Sequence, residues 1–288
     1  MLLEGARMST RIEWCDETWN PIHTKDGGYH CTKISPGCDH CWAEIFNNRF
    51  GNHKPYDASV PDYVMNEEVL HQLFHWRKPR RIFIQSMGDL GLIGETNPGV
   101  VNRLIAVLSQ SVAYAQHHTF IILTKRLAAF YQLMEKVPEF IRKEIGPHVE
   151  IGVTAEDQKR ADERISDLFL FRDLFKGVKL FVSMEPMLGE IDISYPTRLD
   201  GIILGGETGK QARSMSPAWA RSVRDDCIAT GTPFFFKGWG AHLPKMDDIY
   251  GDPGSPEAGE FMPIDVLMNR FRRCIDGREW NQLAGSKP

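Results

Sequence analysis

Long hydrophobic runs are missing from this sequence. No apolar stretch reaches the roughly 18 residues of a membrane-spanning helix, and the first residues show no signal-peptide core. Both absences point to a cytoplasmic protein without membrane contact. A strong charge of one sign is missing too: 34 Lys and Arg face 38 Asp and Glu, a net charge of −4. Bulk electrostatic capture of nucleic acid is thereby excluded, and any such contact requires a local patch. Low-complexity tracts are absent, and 42% hydrophobic with 25% charged residues is the balance of an ordinary globular chain. Three familiar signatures are also lacking. No glycine-rich loop ends in Gly-Lys-Ser/Thr, no stretch fits the dinucleotide fingerprint, and no nucleophile elbow is present. Cysteine is sparse, with six in 288 residues. A cytosolic chain of this length buries roughly 75% of its unfolded surface and needs no disulfide to fold. Cys31, Cys38 and Cys41 fall within eleven residues, whereas Cys15, Cys227 and Cys274 are scattered. The cysteines therefore pose a metal question more than a disulfide question.

From about residue 80 a unit recurs: a short β-rich apolar run, a turn, then a helical pattern. The runs are Arg81–Gln85, Thr119–Leu123, Val149–Val153, Lys179–Ser183, Gly201–Leu204 and Pro233–Phe236. Their continuous hydrophobicity predicts strands buried on both faces, as in parallel sheets. Between them, Asn97-Pro98 and Ser216-Pro217 are helix starts, and Gly231 is a helix stop. Ala161, Ile165 and Leu168 line another helix, and shorter ones are expected near Trp42–Arg49 and Glu67–Trp76. The rhythm predicts an α/β fold, a (β/α) barrel either complete or partial, with a doubly wound open sheet as runner-up. Residues 1–288 are expected to form a single domain. Its parts are an irregular cluster-binding entry segment over 12–50, repeated βα units over 80–243, an exposed loop over 244–260, and a helix and tail over 261–288.

Cys31-Thr-Lys-Ile-Ser-Pro-Gly-Cys38-Asp-His-Cys41 has the spacing C-x6-C-x2-C. The Cys-x-x-Cys half brings two thiolates to one centre, and Pro36-Gly37 bends the chain so that Cys31 returns to it. Soft thiolate ligands select zinc or an iron–sulfur cluster. A structural zinc needs a fourth ligand, for which His23, His30, His40 or Cys15 is available. A cubane on three cysteines leaves one iron open to the amino and carboxylate groups of S-adenosylmethionine. Unliganded thiols are the third alternative, and the spacing alone leaves all three open.

Trp19-Asn20-Pro21, the cysteine segment through Trp42-Ala43-Glu44, and motifs along nearly the whole chain resemble a phage-associated family of radical-SAM-like iron–sulfur proteins. The further motifs are Ser86–Leu90, Leu123–Arg126, Gly152–Gln158, Ser183–Gly189, Gly205–Gly209 with Ala212-Arg213, Phe235–Gly240 and Asp276–Trp280. The resemblance implies a barrel of radical-SAM type, a [4Fe–4S] cluster on Cys31, Cys38 and Cys41, and S-adenosylmethionine at the open iron. It implies a one-electron donor such as flavodoxin or ferredoxin; the substrate is unknown, with nucleic acid suggested by analogy only. The chain departs from most radical-SAM enzymes in three ways. The first cysteine gap is longer than C-x3-C, His40 stands where an aromatic residue is usual, and Lys25–His30 is an inserted loop.

The motifs fall at the C-terminal ends of the predicted strands, where barrel active sites sit. Asp89, Lys125, Arg126, Glu156, Asp157, Glu185, Glu207 and Lys237 form a mixed-charge ring there, suited to a zwitterion and a polar substrate. Glu185, Glu207 and Lys237 are the expected catalytic groups. His40, Trp42, Ser86, Asp89, Lys125 and Glu156 are the expected cofactor-binding groups. Gly205-Gly206-Glu207 follows too late a strand to be the amino-group motif of radical-SAM enzymes, and Ser86 and Asp89 are better placed for that role. Arg77–Arg81 is the strongest basic patch and reads as a solvated turn before a strand. Cys227 and Cys274 are expected as buried thiols on helices, with Cys15 beside the cysteine loop. Trp239 is assignable equally to base stacking and to packing. The competing functional class is a zinc protein whose barrel is a binding module.

Overall fold

The computed structural model describes residues 10, 12–114, 118–193, 199–244, 273–276 and 278–283. Six strands occupy the six apolar runs: β4 (Arg81–Ile84), β5 (Thr119–Thr124), β6 (Val149–Thr154), β7 (Lys179–Met184), β8 (Gly201–Gly205) and β9 (Phe234–Gly238). A short β1 (Glu17–Trp19) joins them, and β2 (Ile22–Thr24) pairs with β3 (Tyr63–Met65) as a separate antiparallel ribbon. The main sheet is seven-stranded and parallel, in the order β1-β4-β5-β6-β7-β8-β9. Each strand pairs with its neighbour in the chain order of the sheet, with no reversal. A doubly wound sheet requires a reversal, so that alternative is excluded. The sheet curls into a half-barrel whose end strands, β1 and β9, do not pair with each other. The fold is thus a partial (β/α) barrel.

Helices α2 (Glu67–Leu70), α3 (Leu90–Thr96), α4 (Pro98–Tyr114), α5 (Leu127–Glu135), α6 (Glu139–Ile145), α7 (Gln158–Leu168), α8 (Leu170–Leu174) and α9 (Pro217–Thr230) contribute to the core outside the sheet, while α1 (Trp42–Phe50) follows the cysteine loop and packs in a separate small cluster with Tyr56 and Met87. Apolar residues on the outer side of the strands, such as Ile82, Ile122, Val153, Val182 and Phe236, join the main core with Leu104, Leu108, Phe130, Leu168 and Val223 from the helices. The start and stop signals of α9 act as the sequence suggests. The Ser216 hydroxyl accepts from the Ala218 N–H at 3.3 Å, and Gly231 ends the helix at φ 66°.

The concave side holds a second core of Trp14, Cys15, Phe83, Ile121, Phe181, Ile203 and Phe235. Gly152 lies in this layer because a Cβ there would stand 2.4 Å from the Phe181 ring. Cys15 accordingly belongs to the half-barrel interior and not to the cysteine loop, a correction to the sequence reading. The basic run is exposed over Arg77–Pro79, as expected of a solvated turn, and half-buried at Arg80 and Arg81. Arg80 pairs with Glu17, and Arg81 makes a bidentate pair with buried Glu150 at 2.8 and 2.9 Å. Two of its cations are thereby consumed in holding the sheet together.

Cys227 is buried on α9, as expected, but Cys274 is not helical. It lies in β10 (Cys274–Ile275), paired antiparallel with β11 (Arg278–Glu279). Arg221 and Arg224 of α9 both bind Asp276, and Asn281 bridges to Phe235 of β9. The expected exposed loop lies, save residue 244, outside the described residues, as do residues 261–272 of the expected helix. No helix among the described residues is long and apolar enough to cross a membrane.

Candidate functional site

All seven strands of a parallel sheet end on one side, and the cysteine loop lies across those ends. The loop is anchored from behind by the Trp-Asn-Pro segment. Trp19 is fully buried and donates its indole N–H to the Val69 carbonyl at 2.8 Å. Asn20 Oδ1 accepts from the Ser86 hydroxyl at 3.2 Å and the Met87 N–H at 3.3 Å, fixing the turn after β4. Ser86 therefore serves the turn beneath the loop.

The strand ends hold the loop from above. Lys125, after β5, donates to Ser35 Oγ at 3.1 Å and to Cys38 Sγ at 3.4 Å, and pairs with Glu156. Glu156, after β6, is 0% exposed; it takes Lys125 and the Ser35 hydroxyl on one oxygen and Arg164 on the other at 3.0 Å. Arg126 donates to the Thr32 carbonyl at 2.7 Å, to Asp89 at 3.2 Å and to Cys31 Sγ at 4.0 Å. Asp89 in turn accepts from the Gly91 N–H at 2.8 Å and the Lys125 N–H at 3.0 Å, capping α3 and binding the next strand end. Beyond β8, Glu207 is gripped by Arg213 and lies 3.2 Å from His40 Nδ1, while Arg213 also donates to the Pro36 carbonyl at 2.8 Å.

Electrostatics set the three thiols apart. Burial, then the Asp89 charge, push the Cys31 thiol up to about 12, against the opposing pull of Arg126. Burial also raises Cys41, although the backbone amides of Ala43 and Glu44 at the start of α1 favour its thiolate. Cys38 is half-buried, yet Lys125 and the Ser35 contacts overcome the cost of that burial and lower it. Cys31 and Cys41 both pack against the Ala43, Tyr56 and Met87 cluster beneath the loop. For Glu156 and Lys125, burial opposes ionisation but the mutual pair prevails, holding the carboxyl low and the ammonium high. Burial of Glu207 is likewise outweighed, chiefly by Arg213, leaving it at about 2.

Among the described residues, no group of three or more His, Cys, Asp or Glu is placed to hold a metal ion. The three thiols each have a feature that favours the thiolate: Arg126 for Cys31, Lys125 for Cys38 and the α1 amides for Cys41.

The remaining expectations divide. Glu185, after β7, and Lys237, near the end of β9, form their own pair at 2.6 Å. Asp157 is the N-cap of α7 and accepts from the Arg160 N–H at 3.0 Å, so it is a helix cap. Trp42 opens α1 and is half exposed. Trp239 is buried, packs on Phe236 at 4.9 Å and donates to the Cys274 carbonyl at 3.0 Å, which rules out base stacking. Gly206 is forced by backbone packing, since a Cβ would lie 2.1 Å from the Trp239 carbonyl oxygen. The inserted loop borders a cavity of about 360 Å³ with Asn52, Lys54 and Asp57.

Sequence reasoning missed Ser35, Arg164 and Tyr56, and it noted Arg213 without giving it a role. Tyr56 lies under the loop, donating its hydroxyl to the Met87 carbonyl at 2.7 Å in a cluster with Cys31 and Cys41. Fold and site together define an open parallel half-barrel with a cysteine-bearing loop clamped over its strand ends. The chain belongs to the family described as "Protein of unknown function (DUF5131)", which it matches over residues 9–284. No curated protein matches it, and neither does any solved structure.

Proposed function

We propose that the chain is a radical S-adenosylmethionine-type enzyme whose Cys31, Cys38 and Cys41 hold a [4Fe–4S] cluster. The observation that carries this reading is the clamped loop. Three thiols, each with a thiolate-favouring neighbour, lie on a loop that hydrogen bonds from Lys125, Arg126 and Arg213 hold over the strand ends of a partial barrel. When bound, the cluster supplies the electron that cleaves S-adenosylmethionine and starts radical chemistry on a substrate. The chain's own residues position and shield. Lys125 and Arg126 balance thiolate charge, Glu156 holds Lys125 in place, and Tyr56 closes the loop from below. His40 and Glu207 present a polar edge for the cofactor. Glu185 and Lys237 are partly accessible at the far strand ends, where they orient a polar substrate and can hold or pass a proton.

Anaerobic purification with iron, sulfide and zinc analysis tests the reading. Iron and sulfide near four per chain are expected, with 5′-deoxyadenosine formed on reduction with S-adenosylmethionine (about one cubane per three-cysteine site). Stoichiometric zinc without sulfide would replace it with the zinc-protein reading. Cys38→Ala is expected to lose the iron, and full iron retention would disprove the ligand assignment.

A further inference from the structure

The inserted loop Lys25–His30 and the segment after α1 face each other across a cavity of about 360 Å³. Small-molecule sites span about 300–1,000 Å³, so this one has room for a ligand. Its walls are fixed by hydrogen bonds. Gly27 and Gly28 turn the loop at φ 83° and 73°. The Thr24 N–H donates to the Gly28 carbonyl at 3.1 Å, and the Thr24 hydroxyl donates to the Gly27 carbonyl at 2.5 Å. Asn52 then ties the opposite wall to the loop, donating to Thr24 Oγ1 at 3.1 Å. Asn47 is fully buried; it accepts from the Tyr29 N–H at 2.8 Å and donates to Asn52 Oδ1 at 2.8 Å and to the Lys54 carbonyl at 3.2 Å. A Cβ on Gly28 would stand 2.6 Å from both Asn47 Oδ1 and the Asn52 nitrogen, so the two walls meet closely there.

One lining residue lacks a partner. His30 is 6% exposed, and its Nε2 is buried without a hydrogen bond. Buried polar groups are paired in folded proteins, so the missing partner belongs to whatever fills the cavity. Charge gives the sign of that occupant. Asp26, Lys54 and Asp57 all line the cavity, and Lys54 is taken by Asp26. Asp57 accepts from the Ser59 N–H at 2.8 Å and pairs with no Lys or Arg among the described residues, which leaves one carboxylate unanswered. Among those residues no group of three His, Cys, Asp or Glu is placed to hold a metal ion. The carboxylate therefore calls for an organic cation. Pro55 and Pro61 add apolar wall to the same cavity.

We propose that this cavity is a binding site for a small amino alcohol or a similar molecule with an ammonium at one end and a hydroxyl at the other. The ammonium meets exposed Asp57 at the rim, the carbon chain lies against Pro55 and Pro61, and the hydroxyl pairs with His30 Nε2. A hydroxyl both donates and accepts, so it satisfies either tautomer of the imidazole. The proposal is independent of the iron–sulfur reading, and its failure leaves that reading untouched.

The test titrates the full chain with aminopentanol, pentylamine and hydroxypentanoate, read by backbone amide NMR shifts. Aminopentanol is expected to give saturable shifts at Thr24, His30, Asp57 and Ser59, with a dissociation constant of about 1 mM, the strength expected of so small a ligand. Pentylamine lacks the hydroxyl and should bind about fivefold more weakly, the worth of one hydrogen bond. Hydroxypentanoate carries the wrong charge and should not saturate. Asp57→Asn should weaken aminopentanol about threefold, as for an exposed ion pair. His30→Leu should weaken aminopentanol about fivefold and leave pentylamine unchanged. Asp57 is exposed, so its variant keeps the fold; should His30→Leu fail to fold, the ranking of the three probes on wild type still decides. Equal binding of all three probes would overturn the proposal, as would no saturation by any, the result of a cavity that holds water only. A preference for hydroxypentanoate, pentylamine binding as tightly as aminopentanol, or both variants binding aminopentanol like wild type would overturn it too.

Discussion

Replacing Glu156 by Ala is expected to cost the metal-free protein about 3–5 kcal/mol of folding stability, because it leaves buried cations without their counter-charge. Glu156 is wholly buried and answers Lys125, Arg164 and the Ser35 hydroxyl at once. The thermal midpoint should fall on the order of 10 °C, given roughly 2–4 °C per kcal/mol in chains of this general size. Glu156→Gln keeps an acceptor for Ser35 and should lose less, about 1.5–3 kcal/mol, the worth of hydrogen bonds to a charged group. Adding Lys125→Met to Glu156→Gln should cost less than the two single losses together, with a coupling of about 0.5–3 kcal/mol. Urea unfolding followed by circular dichroism reads all three, provided the slopes agree. The pH dependence has a fixed sign. The folded carboxyl is held below its ordinary value, so its contribution is complete at neutral pH and fades only as acid protonates it. The difference between wild type and Glu156→Gln should therefore narrow below the usual Glu range. A loss under 1 kcal/mol for Glu156→Ala, or strict additivity with Lys125→Met, would refute the shared-charge account.

Gly37→Ala should destabilise by about 1–3 kcal/mol through overpacking, since its Cβ would stand 2.5 Å from Glu156; an unchanged midpoint together with unchanged iron loading would contradict the packing. Gly206→Ala meets backbone instead of a movable side chain, at 2.1 Å from the Trp239 carbonyl oxygen. It should lower the thermal midpoint more than Gly37→Ala, and the reverse order would count against the turn geometry. Glu207 has an ordinary value of 4.5 and a folded value of about 2. Its stabilisation is present above about pH 4.5 and disappears as pH falls toward 2. Urea midpoints of wild type and Glu207→Gln should converge in that window, and parallel curves would show that the Arg213 contact contributes nothing.

The sheet was legible because strands buried on both faces are written as unbroken apolar runs. β4 to β9 each coincide with one. β1 was not separately legible: Glu17-Thr18-Trp19 is too short and too polar to show a period, and it is a strand only because β4 lies beside it. The tail departs from the expected helix because Cys274-Ile275 pairs with Arg278-Glu279 just beyond it, as β10 and β11. At the site, the cysteine spacing and the strand-end positions marked the cysteines, Asp89, Lys125, Glu156 and Glu207. The partners that complete the clamp lie far off in sequence: Ser35 meets Glu156 across 121 residues, and Arg213 meets Pro36 across 177. No local pattern encodes such a reach, and the motif Ala212-Arg213 was the one trace of it.

An open half-barrel is an arc, and an arc is free to spread. The cysteine loop is its chord: Lys125 and Arg126 hold it from β5, Glu156 from β6, and Arg213 with Glu207 from beyond β8. The loop that carries the three thiols therefore ties the ends of β5, β6 and β8 to one another. A substitution that loosens one of these ties, such as one at Arg213, reaches the cysteine segment although it lies far from it in sequence.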